Sequence, residues 1–121
     1  MKTENVIVEK SYIFSLQIIE LYKILHYSKR EFVISKQILR SGTAIGSNLE
    51  EAIGAQSQKD FISKVSIAYK EGRETRYWLR LLNDSKLIET EITSSLIQEC
   101  EEILKIITSI LNTLKQKSHQ N

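Results

Sequence analysis

The chain has 121 residues, 41% of them hydrophobic and 26% charged, with a net charge of +2 at neutral pH. That size suits one domain around one core, and so small a net charge does not by itself argue for nucleic acid or a membrane. A single cysteine excludes an intrachain disulfide and a multi-cysteine metal site. With no apolar run of membrane-spanning length and no signal-like N-terminus, the expected location is the cytoplasm.

Proline is absent and glycine occurs only four times, so long helices are expected and many short strands are not. A first helix is expected from about Val6 to about Tyr27, where Ile7, Phe14, Ile18, Leu21 and Leu25 share one face. A second row, Val8, Tyr12, Ser15, Ile19 and Tyr22, lies beside it. After the polar link Ser28–Glu31, a second helix is expected over Val33–Ile53 on the seam Ile34, Ile38, Ser41, Ile45, Asn48 and Ala52. Gly54 is placed to end it. Ser57, three residues before Asp60, reads as the N-cap of a third helix running to about Asn83. Its seam, Phe61, Val65, Ala68, Gly72, Thr75, Leu79 and Leu82, has a small centre. A fourth helix is expected over Thr90–Lys117 on Leu96, Cys100, Ile103, Ile107, Ile110 and Leu114, with acids early and lysines late, as the helix dipole favours. Short links make neighbours antiparallel, so the expected fold is an all-α, up-down-up-down four-helix bundle.

The stretch LRSGTAIGSNLEEA in the second helix is rich in poor helix formers. A glycine inside a helix costs about 1 kcal/mol relative to alanine, so Gly42, Gly46 and Gly72 are expected to mark close helix packing. The expected pairing is the second helix against the third, with Ser41 and Asn48 hydrogen-bonding in the seam. A Gly/Ser cluster also permits a kink over Gly42–Ser47.

The blocks SKQILRSGTAIGSNLEEA (35–52) and SQKDFISKVSIAYKEGRETRYWLRLL (57–82) closely resemble the bacterial four-helix-bundle proteins of the 23S ribosomal RNA intervening-sequence family. Many relatives carry proline where this chain has Gly46. The resemblance implies a homo-oligomer, a ring-like pentamer, with no catalysis and no cofactor. A related group serves as accessory proteins of diversity-generating retroelements, which bind a reverse transcriptase and nucleic acid. No shared catalytic or binding motif transfers onto these positions.

The third helix offers the best surface for a partner. Tyr69, Arg73, Arg76 and Arg80 form one row, with Lys70 and Tyr77 beside it. Arginine meets phosphates and aromatic faces stack on bases, so the row suits RNA or a nucleic-acid-associated protein. The same arginines can instead pair with acids or line a subunit interface, which leaves a protein scaffold or adaptor with no nucleic-acid binding as the alternative. Apolar residues continue nearly all round this helix, and a lone bundle has no need of them. Ile67, Trp78 and Leu81, with Tyr12 and Ile19 of the first helix, are therefore candidate oligomer contacts, and Trp78 can equally be core.

Candidate chemistry is sparse. His26 and His119 lack carboxylates at metal-ligand spacing. Glu50, Glu51, Glu71 and Glu74 lack the Glu-x-x-His pattern of a di-iron bundle and read as salt-bridge partners, Glu74 with Arg40 or an arginine of its own helix. Cys100 sits at a seam position and reads as a small hydrophobe. No enzymatic activity, metal or membrane association is expected.

Overall fold

The structure is a computed structural model that describes the backbone of residues 2–120 and the side chains of residues 5–117. Four helices follow in chain order: α1 (Lys2–Lys23), α2 (Ile34–Ile53), α3 (Gln58–Asp84) and α4 (Thr90–Gln120). No strand occurs among the described residues. The first helix begins earlier than its apolar pattern suggests, and its last turn, Ile24–Ser28, is π-helical.

Pairings between helices give the direction of each. Arg40 meets Glu71 and Glu74, while Glu51 meets Lys64, so numbers rise along α2 as they fall along α3. Asn83 bonds Thr93 and Arg76 bonds Glu101 across α3 and α4. Gly42 lies at Ile18 and Gly46 at Ser11 across α2 and α1. All three neighbouring pairs are antiparallel. α1 also packs on α4, which closes the square.

The core follows the seams. Ile7, Phe14, Ile18, Leu21 and Leu25 of α1 are buried, as are Ile38 and Ile45 of α2, Val65, Leu79 and Leu82 of α3, and Ile103 and Ile107 of α4. Fully burying each such side chain is worth roughly 1.5–3 kcal/mol. Leu114, at the end of the α4 seam, is only half-buried. Leu104, off the expected seam, is buried against α3.

The glycines do not bring α2 onto α3. A β-carbon on Gly42 would lie 2.9 Å from two side-chain carbons of Ile18, and one on Gly46 would lie 3.3 Å from the Ser11 carbonyl oxygen. Both positions therefore face α1. Gly72 faces α4, where a β-carbon would lie 2.7 Å from Leu104 Cδ2. The α2–α3 contact uses Ser41 instead, whose hydroxyl is hydrogen-bonded to that of Thr75 at 2.9 Å. Asn48 stays within its own helix, donating to the Ala44 carbonyl at 2.8 Å. α2 runs as one continuous α-helix through Gly42–Ser47.

Two helix starts are capped by side chains. The backbone N–H of Asp60 donates to Ser57 Oγ, and that of Gln56, one residue before the cap, donates to Asp60 Oδ2. At α2 the flanking residue is Val33, which has no polar side chain. The Glu31 carboxylate takes over, accepting from the N–H groups of Val33, Ile34 and Ser35 at 3.1, 3.0 and 2.7 Å. Burial pushes the Glu31 pKa up, but the three backbone bonds outweigh it and the net shift is downward.

Three substitutions have expected effects on stability. Ile18 is β-branched and stiff, so Gly42→Ala should lower stability by about 1–2 kcal/mol through overpacking, even after its gain in helix propensity. Leu104 meets Gly72 with the tip of a flexible side chain, so Gly72→Ala should stay within about 0.5 kcal/mol of the parent. Urea melts of the two variants compare them directly, and equal losses would contradict this packing. Glu31→Ala should cost about 1 kcal/mol at neutral pH, as loss of a cap does. A carboxyl whose pKa is lowered on folding stabilises above its unfolded pKa and loses that contribution as pH falls through the folded value. The gap between parent and variant should therefore close as pH drops below about 4, near the ordinary glutamate value, when melts are repeated across the acid range.

Candidate nucleic-acid interface

On α3, residues 69, 73, 76 and 80 follow one another at spacings of four and three, which puts them along one flank. That flank borders α4. Tyr69, Arg73 and Arg76 line an open groove of about 620 Å³ together with Glu101, Leu104, Lys105 and Thr108 of α4. The groove thus holds three cations and one carboxylate. Arg76 Nε donates to Glu101 Oε2 at 2.8 Å, which fixes the guanidinium against the wall. Arg73 and Lys105 are exposed and make no ion pair among the described residues. Arg80, also exposed, continues the row one turn on.

Lys70 and Tyr77 do not enter the groove. Both are exposed on the outward side of α3, and the Tyr77 ring stands edge-on to Trp78 with centroids 5.2 Å apart. Lys105 and Thr108 belong to the groove, although their spacing alone does not single them out. The signal around them is the acidic run before residue 104, which points away from a basic site.

The neighbouring acids are committed elsewhere. Glu99 and Glu102 of α4 turn to Lys10 of α1, at 3.4 and 3.0 Å. The hydrogen bond to Glu102 leads in raising the Lys10 pKa, against a smaller loss from burial. Glu71 and Glu74 of α3 hold Arg40 of α2 on the opposite flank. Trp78 Nε1 also donates to Glu74 at 3.0 Å. That bond foremost, opposed by burial and aided by Arg40, lowers the Glu74 pKa. So over one stretch α3 sorts its charges by flank: Glu71 and Glu74 toward α2, Arg73 and Arg76 toward α4.

The candidate oligomer contacts fall into two groups. Tyr12 and Ile19 line a mostly apolar groove of about 430 Å³ between α1 and α2, with Val8 and Leu16 on one wall and Thr43, Gly46 and Ser47 on the other. Tyr12 is 64% exposed and Leu16 is 49% exposed. Ile67 and Leu81 are exposed on α3, while Trp78 is half-buried and packs partly on the core. The two groups lie on different faces of the molecule.

Little here supports covalent chemistry. Cys100 is buried, with Sγ 3.4 Å from the Gly72 carbonyl oxygen to which it donates. Burial pushes its thiol pKa up to about 12, outweighing the nearby arginines, so the reactive thiolate is suppressed. Among the described residues, no group of three or more His, Cys, Asp and Glu side chains comes together in a way that would hold a metal. His119 lies outside the residues whose side chains are described. No helix among the described residues is long and apolar enough to cross a membrane.

Comparison with known proteins places this geometry in a family. Residues 3–109 match the family model described as 23S rRNA-intervening sequence protein. A crystal structure from Bacteroides thetaiotaomicron, a protein of unknown function from the S23 ribosomal protein family, is similar at a TM-score of 0.88. The two sequences are 48% identical, and the match covers 91% of this chain and 98% of that one. No curated protein matches. With the match spanning most of its length, the chain belongs to the 23S rRNA-intervening sequence protein family.

Proposed function

We propose that the chain is a non-enzymatic, self-associating bundle that binds RNA, or the RNA of a ribonucleoprotein, in the groove between α3 and α4. The observation that carries this reading is the segregation of charge on α3. Arg73 of α3 and Lys105 of α4 stand exposed in a groove with Tyr69 and an Arg76 anchored by Glu101, while Glu71, Glu74, Glu99 and Glu102 of the same helices pair outside it. Guanidinium and ammonium groups of this kind meet phosphates, and the tyrosine offers a face for a base. Such binding is sequence-tolerant and sensitive to salt.

Self-association is supported by the two unlike apolar faces. One is the α1–α2 groove with Tyr12, Leu16 and Ile19, and the other is the α3 surface with Ile67 and Leu81. A face that meets a different face on the next copy generates a ring when the rotation closes. Five subunits is the number implied by the resemblance to the family. A scaffold that joins proteins and binds no nucleic acid is the competing reading, and it draws on these same faces.

Binding of a fluorescent RNA should weaken steeply between about 50 and 200 mM salt. The triple variant Arg73→Ala, Arg80→Ala, Lys105→Ala should lower the slope of log affinity against log salt by about one for each phosphate that is no longer neutralised. No binding at low salt, or an unchanged slope, would favour the scaffold. Leu16→Glu should reduce the mass measured by light scattering, since a buried carboxylate in that groove lacks a partner. An unchanged mass would remove the α1–α2 groove from the assembly.

A further inference from the structure

The corner joining α1 to α2 has an unusual construction. The last turn of the first helix is π-helical, with the Lys29 N–H donating to the Ile24 carbonyl at 3.0 Å and the Glu31 N–H to the Leu25 carbonyl at 2.8 Å. Arg30 follows with φ of 54°, a left-handed conformation that costs a non-glycine residue about 1 kcal/mol or more. Both features are found preferentially at functional sites. Here they gather three rings around His26. Tyr22 stacks on it at 5.2 Å, and Tyr27 and Phe32 meet it edge-on at 4.7 and 5.0 Å.

This cluster is not core. Tyr27 is 70% exposed and Phe32 is 44% exposed, and neither is among the residues packed against the buried cluster. Their positions are set from beneath by His26, whose Nδ1 lies 3.3 Å from the Tyr22 hydroxyl. Two cations, Lys29 and Arg30, lie in the link between Tyr27 and Phe32. The Arg30 guanidinium carbon lies 6.0 Å from the Phe32 ring centre, and Lys29 is exposed beside it. The one carboxylate in the turn, Glu31, is occupied by the backbone of α2. It therefore leaves Lys29 and Arg30 without an ion pair among the described residues.

We infer that this corner is a second contact site for nucleic acid, selective for unpaired bases. Tyr27 and Phe32 offer faces on which bases stack, and Lys29 and Arg30 meet the flanking phosphates. A base within a duplex has both faces covered by its neighbours, so a stacking site takes single strands, loops or ends. The inference deepens the RNA reading of the α3–α4 groove and rests on it for the class of ligand. The two sites use separate residues, so each can be removed alone.

The test compares an unstructured poly-uridine oligonucleotide with an RNA duplex of equal charge, by anisotropy at one salt concentration, on the full chain. The double variant Tyr27→Ala, Phe32→Ala should lose about tenfold or more in affinity for the single strand and keep its affinity for the duplex. Tyr27→Ala alone, at a residue with little buried area, should show part of the same loss. Tyr27→Phe, which keeps the stacking face, should behave as the parent. If the groove triple variant loses both ligands while the corner variants lose neither, the corner proposal is overturned and the groove reading stands. If the corner variants lose the single strand while the groove variant is unchanged, the corner stands and the groove reading falls. Failure of the parent to bind either RNA sinks both. A corner variant that changes assembly mass without changing single-strand affinity would make the rings a subunit contact and overturn the proposal.

Discussion

Leu104 fills the space that Gly72 leaves open, and this contact, with the Cys100 and Arg76 bonds beside it, sets where α4 lies along α3. With a β-carbon at position 72 and no adjustment of the leucine, the two would stand 2.7 Å apart. Seating Leu104 there also aligns Cys100 with the Gly72 carbonyl and Arg76 with Glu101. Lys105, the next residue along, is thereby carried to the mouth of the groove beside Arg73. A slip of one helical turn would exchange Lys105 for a different neighbour and separate Arg76 from its carboxylate.

The small residues act pair by pair. Gly42 and Gly46 admit α1, Gly72 admits α4, and Ser41 with Thr75 ties α2 to α3 by a buried hydroxyl pair. Close-packed helices tolerate little change in volume where the facing side chain is stiff, as Ile18 is at Gly42, and more where it can swing aside, as Leu104 can at Gly72. Elsewhere in the bundle the spacing is set by ordinary Leu and Ile interdigitation, which accepts volume-conserving exchange more readily. The glycine cost in helix propensity is thus offset by close packing on two different neighbours.

Charge is sorted by flank. Each acid in the first half of α4 that makes an ion pair has a direction: Glu99 and Glu102 toward α1, and Glu101 toward α3. Glu71 and Glu74 hold Arg40, and Glu31 caps the start of α2. A chain with a net charge of only +2 can therefore present local positive surfaces, because the carboxylates nearest them are held in ion pairs or a helix cap. Exposed pairs of this kind add little stability, about 0–1 kcal/mol each. Their larger consequence is where they leave unpaired cations. Both the α3–α4 groove and the aromatic corner owe their character to this withdrawal.

The four helices, their seams and the cap at Ser57 are legible in the amino-acid order alone, because each depends on local spacing and on side chains within one turn. Ile7, Phe14, Ile18, Leu79 and Ile107 can be placed in the core from period alone. The row Tyr69, Arg73, Arg76 and Arg80 is legible for the same reason, as is the Arg40–Glu74 pair among its alternatives. Which neighbour each glycine admits is decided only by the tertiary fold, since helical spacing names a face and not the helix that covers it. Lys105 and the grouping of Tyr22, His26, Tyr27 and Phe32 also emerge only there. The first needs the register between α3 and α4. The second needs a π-helical turn and a left-handed Arg30, which shift side chains off the 3.6-residue period that pattern reading assumes.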